Sequence, residues 1–296
     1  QCPGWEEGEI LKMTGIEIRN WIAPGEDIIS LSEKAVKTVL ARNHLSLNDL
    51  SLIIVTSGTP GTITPSLATR IQHTLIPEGK HALFCPAFDI NAACSGYLYA
   101  LQSAWDFLNT RPDGIILVVT AEVLSPLVDL TDKSTSPIFG DAATATIVTG
   151  SESPLKGKAR VYRPVTAAAG EDGTILTVPA DTSRTIFMNG PKVYLEAVHS
   201  MITLLAKVCT ENGIQVEDLD LIVPHQANQR IINAVKQRLK LPEGRVYSQI
   251  RNRGNTSSCT IPLCLESIMK ESTTGLLGLT AFGGGFTSAG GLVEII

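Results

Sequence analysis

Cys94 has the setting of a nucleophile. It stands in Phe88-Asp89-Ile90-Asn91-Ala92-Ala93-Cys94-Ser95-Gly96-Tyr97, at the end of an apolar run. Helical spacing begins at once, through Tyr97, Leu98, Leu101, Ala104, Trp105 and Leu108. A strand turning straight into a helix presents the thiol at the helix N-terminus. Unpaired N–H groups and the positive dipole end there favour thiolate over thiol. Ala92, Ala93, Ser95 and Gly96 are small enough for a sharp turn and for a substrate to approach the sulfur. A buried structural thiol is the commoner fate of a free cysteine, so Cys94 alone leaves both readings open.

Two further segments narrow the choice. In Leu221-Ile222-Val223-Pro224-His225-Gln226-Ala227-Asn228 a short β-type run delivers His225, and a helix is expected from about Asn228. In Arg253-Gly254-Asn255-Thr256-Ser257-Ser258 a polar loop precedes an apolar helix from Ile261 to Met269. A lone His at a strand end is usually a structural hydrogen-bonder, and a lone Asn in such a loop is usually a turn residue or cap. Three such residues in this order, each at an element end, are hard to explain as packing. Cysteine enzymes need a base or donor near the sulfur, supplied from distant sequence.

Ala92-Ala93-Cys94-Ser95-Gly96, Phe139-Gly140-Asp141-Ala142-Ala143, Val223-Pro224-His225-Gln226-Ala227-Asn228-Gln229-Arg230-Ile231-Ile232, Gly254-Asn255-Thr256-Ser257 and Ala281-Phe282-Gly283-Gly284-Gly285-Phe286 follow one another along the chain. Together they resemble the β-ketoacyl-(acyl carrier protein) synthase III family, condensing enzymes of the thiolase superfamily. The resemblance runs from about Thr14-Gly15-Ile16 to the last residues.

The elements that must position these residues form a faint repeat. Asp49-Leu50-Ser51-Leu52-Ile53-Ile54-Val55 reads like Asp218-Leu219-Asp220-Leu221-Ile222-Val223. Each follows a helical stretch, about Leu31 to Arg42 and Lys192 to Asn212. Phe139-Gly140-Asp141 leads into a strand-like Thr144 to Thr149, as Phe282-Gly283-Gly284-Gly285 leads into Ala289 to Ile296. Two α/β halves are expected, 1–155 and 156–296, joined through a Gly-, Ser-, Pro- and Lys-rich stretch near 150–170. Helices alternating with short β-rich runs imply sheets covered by helices. The resemblance adds the thiolase-like fold, a five-layered αβαβα duplication, and a homodimer.

Composition agrees. The 296 residues are 44% hydrophobic, enough to bury a large core. A net charge of −5 gives no sign of nucleic-acid binding. No apolar run reaches the length of a membrane span. The acidic start Gln-Cys-Pro-Gly-Trp-Glu-Glu does not read as a signal peptide. Of Cys2, Cys85, Cys94, Cys209, Cys259 and Cys264, none form a C-x-x-C pair. All but Cys94 read as inert thiols in a reducing cytoplasm, and no metal is expected.

The resemblance implies roles. Cys94 takes an acyl group from a thioester. The backbone N–H groups of Cys94 and Gly284 form an oxyanion hole. His225, neutral and donating from Nε2, and Asn255 stabilise the enolate left when a malonyl thioester loses CO2. No cofactor is required. Asn228 contacts a pantetheine arm or caps the helix Gln229 to Lys240, or both. Gly190 and Phe282 join the substrate passage. Arg230, Lys236, Arg238, Lys240, Arg245, Arg251 and Arg253 face one acid, Glu243, in an acidic protein. Such a run is usually a solvated face. Beside His225 it would also steer an acidic carrier protein, with Arg230 and Arg238 at the family's docking positions, or meet CoA phosphates.

Three departures bear on substrate. The family's adenine clamp of a Trp and two Arg falls here at Glu9, Met13 and Lys133, with Trp5 and Trp21 displaced. Weak CoA recognition and a carrier-borne donor are expected. A bulky Phe that often closes the acyl pocket, commonly that of the dimer partner, is replaced by Thr64 in Thr64-Pro65-Ser66. That implies a roomier pocket, or only a helix cap with Pro65 at the first helical position. The strand and helix that usually precede Thr14-Gly15-Ile16 have only thirteen residues here, so the first half is expected to lack an edge element.

Rival chemistries fit less well. A thiolase needs a second Cys in Gly283-Gly284-Gly285-Phe286-Thr287-Ser288, which has none. A hydroxymethylglutaryl-type synthase needs a general-base Glu, and Glu78 is the only acid between Asp49 and Asp89. Acyl transfer from Cys94 to an alcohol or amine would use the same residues, with His225 as base. A non-catalytic partner subunit commonly loses the Cys or His, and both are kept.

Overall fold

A computed structural model describes residues 3–6, 8–76, 85–179 and 184–296. Glu78 and Cys2 lie outside the described residues. The strands in chain order are β1 (Leu52–Thr56), β2 (Ala87–Ile90), β3 (Ile115–Glu122), β4 (Ala142–Thr149), β5 (Ala159–Val161), β6 (Val165–Ala168), β7 (Leu176–Thr177), β8 (Phe187–Met188), β9 (Leu221–Pro224), β10 (Gly275–Gly283) and β11 (Thr287–Ile295). The helices are α1 (Glu9–Thr14), α2 (Ile28–Arg42), α3 (Leu67–Thr74), α4 (Gly96–Leu108), α5 (Gly190–Glu211), α6 (Gln229–Arg238) and α7 (Thr260–Lys270).

Two sheets form. The first runs β2-β1-β3-β4, and the second β5-β11-β10-β9 with β6 also on β11. In each, a parallel pair (β1 with β3, β9 with β10) is followed by an antiparallel strand (β4, β11). The repeat read from the sequence extends to the turns. Asp49 closes a capping box on Ser46 ahead of β1, and Asp218 closes one on Gln215 ahead of β9.

Period-two alternation builds the layers. Leu52 and Ile54 of β1 join Ile116 and Val118 of β3 in a core shared with α4, α7 and the second sheet's Leu277, Leu279 and Val293. Ile53 and Val55 face the other way, against Val36 and Leu40 of α2 and Leu67 and Ile71 of α3. Leu205 and Val208 of α5 pack with Ile222 and Leu292 on the outer face of the second sheet. The order is therefore helices, sheet, helices, sheet, helices, the five-layered thiolase-like arrangement. Helix α5 is long and apolar enough to cross a membrane by length and composition. Its apolar face instead packs on β10 and β11.

Two expectations change. The stretch near 150–170 is more than a connection, because β5 and β6 both pair with β11. Helix α3 begins at Leu67 with Ser66 as its cap, not at Pro65 with Thr64. The Thr64-Pro65 bond, which is cis, lies ahead of the helix. The outer edge of β11 is covered by β5 and β6. Among the described residues, the outer edge of β4 has no strand against it. A groove of about 1140 Å³ runs beside β4, lined by Leu31, Val39, Trp105 and Ile147, and holds none of the candidate site residues.

One contact across layers anchors the strand that leads to Cys94. Asp89 accepts from the Leu67 N–H (2.6 Å) and the Ala68 N–H (2.7 Å), closing the first turn of α3 onto β2. Asp89→Ala is expected to cost about 1–2 kcal/mol of stability, measured by urea denaturation.

Candidate active site

The elbow at Cys94 is a single tight turn. The Asn91 side chain accepts from the Ala93 N–H (3.3 Å), and Ala93 takes φ 46°. Cys94 sits in a 3-10 turn, Ala93–Ser95, that runs straight into α4. Gly96 packs on β1 so closely that a Cβ there would lie 1.9 Å from the Thr56 hydroxyl oxygen. Only glycine fits, and this fixes the start of α4 against the sheet. Ser95 donates to the Thr287 carbonyl (3.0 Å), and Thr287 donates to the Ala92 carbonyl (2.8 Å). The turn that carries Cys94 in the first half is thus held by β11 of the second.

His225 follows β9 directly and is 2% exposed. Its backbone N–H donates to Thr280 on β10 (2.7 Å), and its Nδ1 lies 2.7 Å from the Thr260 hydroxyl. Asn255 is clamped by the segment that the sequence singled out at Phe139-Gly140. Its N–H donates to the Ile138 carbonyl (2.9 Å), and its carbonyl accepts from the Gly140 N–H (2.9 Å). Gly254 precedes it at φ 66°, where a Cβ would press on the Ile138 carbonyl at 2.9 Å. The Asn255 side-chain oxygen accepts from the Ser257 N–H (2.8 Å). Among the described residues its amide N–H groups carry no hydrogen bond.

These residues meet. A cavity of about 70 Å³ is lined by Cys94, His225 and Asn255 together with Asn228, Gly190 and Phe282. Ile138, Leu176, Met188 and Val193 complete an apolar wall that composition did not reveal. Asn228 also caps α6, accepting from the Ile231 N–H (3.0 Å). Gly190 opens α5 beside Pro191, where a missing N–H has no cost. Thr64 stands exposed, and neither it nor Gly284 lines the cavity. The glycine against the Cys94 backbone is Gly283, whose Cβ position lies 2.7 Å from the Cys94 nitrogen. Gly284 follows in the turn and packs on the Leu176 carbonyl instead.

The basic run is narrower than its sequence suggests. Lys236 pairs with Glu243, and Arg251 with Glu17 at 2.7 Å. Arg245 donates to the backbone carbonyls of Glu217 and Leu219. Arg230, Arg238 and Lys240 are exposed and carry no ion pair among the described residues. At the expected adenine clamp, Lys133 lies over the Trp5 ring at 5.0 Å, and Glu9 accepts from the Glu6 N–H.

Burial governs the electrostatics. Part of Cys94 opens on the cavity, but its sulfur lies deep, and burial pushes the thiol up to about 12. The helix N-terminus alone does not make it a thiolate, as the sequence had suggested. The Ser257 hydroxyl favours the thiolate, while the nearby Glu122 charge opposes it. Burial also lowers His225 to about 3, so its ring is neutral at any working pH. Glu122, a residue the sequence reading passed over, is pushed up to about 7 by burial against the pull of four donors. Its only signal in sequence was one acid ending the apolar run Ile115-Ile116-Leu117-Val118-Val119-Thr120-Ala121.

These shifts act on stability with opposite signs. Glu122 is raised from 4.5, so its contribution is fully present below 4.5 and is lost as pH rises through about 7. His225 is lowered from 6.5, so its contribution is present above 6.5 and is lost as pH falls towards 3. Their slopes offset one another where the windows overlap. Glu122→Gln removes one of them and is expected to gain about 3 kcal/mol on the parent between pH 4.5 and 7, by denaturant melts across pH.

The 3-oxoacyl-[acyl-carrier-protein] synthase III family model matches residues 88–162, and the model of its C-terminal part matches residues 209–295. A β-ketoacyl-[acyl-carrier-protein] synthase III of Oleidesulfovibrio alaskensis is 38% identical, covering 94% of this chain and 87% of that protein. The crystal structure of the 3-oxoacyl-[acyl-carrier-protein] synthase III of Aquifex aeolicus VF5 matches with TM-score 0.88 at 36% identity, over 98% of this chain and 91% of that one. The priming β-ketosynthase of the R1128 polyketide biosynthetic pathway matches with TM-score 0.85 at 29% identity, over 99% of this chain and 90% of that one. Two family segments that between them carry Cys94, His225 and Asn255, and relatives similar along nearly the whole length, place the chain in the 3-oxoacyl-[acyl-carrier-protein] synthase III family.

Proposed function

We propose that this protein is a condensing enzyme that loads an acyl group on Cys94 and extends it with a malonyl thioester. The observation that carries the reading is the shared cavity of Cys94, His225 and Asn255. Acylation begins with attack of the Cys94 sulfur on a thioester carbonyl. The backbone N–H groups of Cys94 and Gly284 are assigned to the oxyanion, with Gly283 setting how closely that turn approaches. The carrier thiol leaves.

A malonyl thioester then enters by the Asn228 side of the cavity. Loss of CO2 leaves an enolate, whose oxygen receives hydrogen bonds from His225 Nε2 and the Asn255 amide. The enolate carbon attacks the acyl thioester, and Cys94 is released. Nε2 carries the proton when Thr260 donates its hydroxyl to Nδ1, its shorter contact, rather than to the Ser257 carbonyl at 3.1 Å. A ring lowered to about 3 is a weak base, which disfavours acyl transfer to an alcohol or amine.

The donor is assigned to an acyl carrier protein rather than free CoA. Exposed Arg230, Arg238 and Lys240 offer an acidic carrier a landing face beside α6. At the adenine positions, Glu9 cannot stack on a purine. No cofactor is required by this chemistry, and free thiols at Cys85, Cys209, Cys259 and Cys264 suit a reducing cytoplasm. A pair of such proteins as homodimer, an acyl pocket widened at Thr64, and use in fatty-acid or polyketide priming belong to the same reading.

Incubation with matched acyl-CoA and acyl-carrier panels tests it. Intact mass is expected to rise by one acyl group, more readily from the carrier, and Cys94→Ala is expected to abolish the gain. A gain that persists in the variant, or none with any donor, would contradict the nucleophile assignment.

A further inference from the structure

Behind the nucleophile lies a buried acid that the condensation scheme does not use. Glu122 ends β3 at the seam between the halves and is fully buried. Its Oε1 accepts from the hydroxyls of Ser257 (3.1 Å) and Ser258 (2.8 Å). Its Oε2 accepts from the Gly58 N–H (3.1 Å) and the Thr59 hydroxyl (3.1 Å). No cation faces it. The titratable groups around it are two thiols, Cys94 from the elbow and Cys259 from the turn ahead of α7, and each is pushed up by burial first and by Glu122 next or later.

Ser257 touches both ends of this arrangement. Its hydroxyl donates to Glu122, and the turn that carries it packs against the Ala93–Ser95 turn, close enough for the hydroxyl to act on the Cys94 thiol. A hydroxyl has one proton to give and lone pairs to receive with. With its proton on Glu122, Ser257 turns lone pairs to the thiol. The chain from S–H to O–H to carboxylate therefore points one way. Ser257 is held for this at φ 52°, a backbone conformation that a non-glycine residue adopts only when its surroundings impose it.

We propose that Glu122 is a positioning residue that draws the Cys94 proton away through Ser257. The proposal rests on the reading of Cys94 as nucleophile. The S–H bond breaks and its electron pair stays on sulfur. The proton passes to the Ser257 oxygen as the Ser257 proton passes to Oε1 of Glu122. The buried site carries one negative charge before and after the step. Without the transfer, a thiolate would form beside a carboxylate, and two like charges would share a dry site. His225 is not placed for this task. Its Nδ1 is taken by Thr260, and burial lowers the ring to about 3, which leaves it a weak base. A carboxyl that burial raises to about 7 can hold a proton near neutrality.

Alkylation of Cys94 by iodoacetamide across pH, read by intact mass with Cys94→Ala as blank, tests the relay without any acyl donor. The parent is expected to gain reactivity through an apparent pKa near 7, the value of Glu122 rather than of an isolated buried thiol. Glu122→Gln and Ser257→Ala are each expected to lose that rise and to react about tenfold more slowly near neutral pH, with the double variant no slower than either. A Glu122→Gln protein that reacts as fast or faster overturns the proposal, because loss of a like charge by itself eases thiolate formation. If Glu122→Gln does not fold, Ser257→Ala decides alone, since it leaves Glu122 three donors. Alkylation as expected with no acyl-enzyme formed would sink the acyl-transfer reading and leave the relay standing.

Discussion

The backbone of residues 254–260 is the constraint on which the site depends. Gly254 enters it at φ 66° and Ser257 turns at φ 52°. Asn255 is tied by both backbone groups to Ile138 and Gly140 of the first half. Five residues on, Thr260 opens α7 and meets the His225 ring. Between them Ser257 and Ser258 bind Glu122. One short segment of the second half thus orients the histidine, presents the amide and reaches the nucleophile. A slip of a few tenths of an ångström in it would reach all three groups at once.

The sheets supply the rigidity that such a segment lacks. β3 and β9 to β10 are buried throughout or nearly so, and their ends deliver Glu122 and His225 without long loops. Burial at those ends also sets the chemistry. It keeps the imidazole neutral, which suits a hydrogen-bond donor to an enolate. It resists a thiolate, which creates the need for a partner that takes the thiol proton without adding charge. The two effects arise from one cause, the exclusion of water from the seam.

Much of this was legible in the chain. Cys94, His225 and Asn255 each end an element, and the tight glycines around them, Gly96 and Gly254, mark close approach. The repeat of Asp49-Leu50 and Asp218-Leu219 announced the two sheets, because capped turns before buried strands recur in sequence as short identical patterns. The misses have physical reasons. Charge counts along a segment say nothing of pairing, and of the seven cations Lys236 and Arg251 are held by acids and Arg245 by backbone carbonyls. Helix-dipole reasoning at Cys94 left out the depth of the sulfur, which only packing reveals. Thr64-Pro65 resembled a helix start by type, yet Asp89, distant in sequence, sets where that helix begins. Glu122 and Thr260 were invisible because their partners lie more than thirty residues away.

The central claim is that the seam divides the labour, with Cys94 taking the acyl group and His225 and Asn255 acting on the enolate. The direct measurement is a single-turnover comparison of parent, His225→Ala and Asn255→Ala, following acyl-Cys94 by intact mass and CO2 release from a malonyl thioester. The account predicts that acyl-Cys94 forms in all three, while CO2 release falls by about 10²–10³-fold in the variants. Equal loss of both steps in either variant would contradict it.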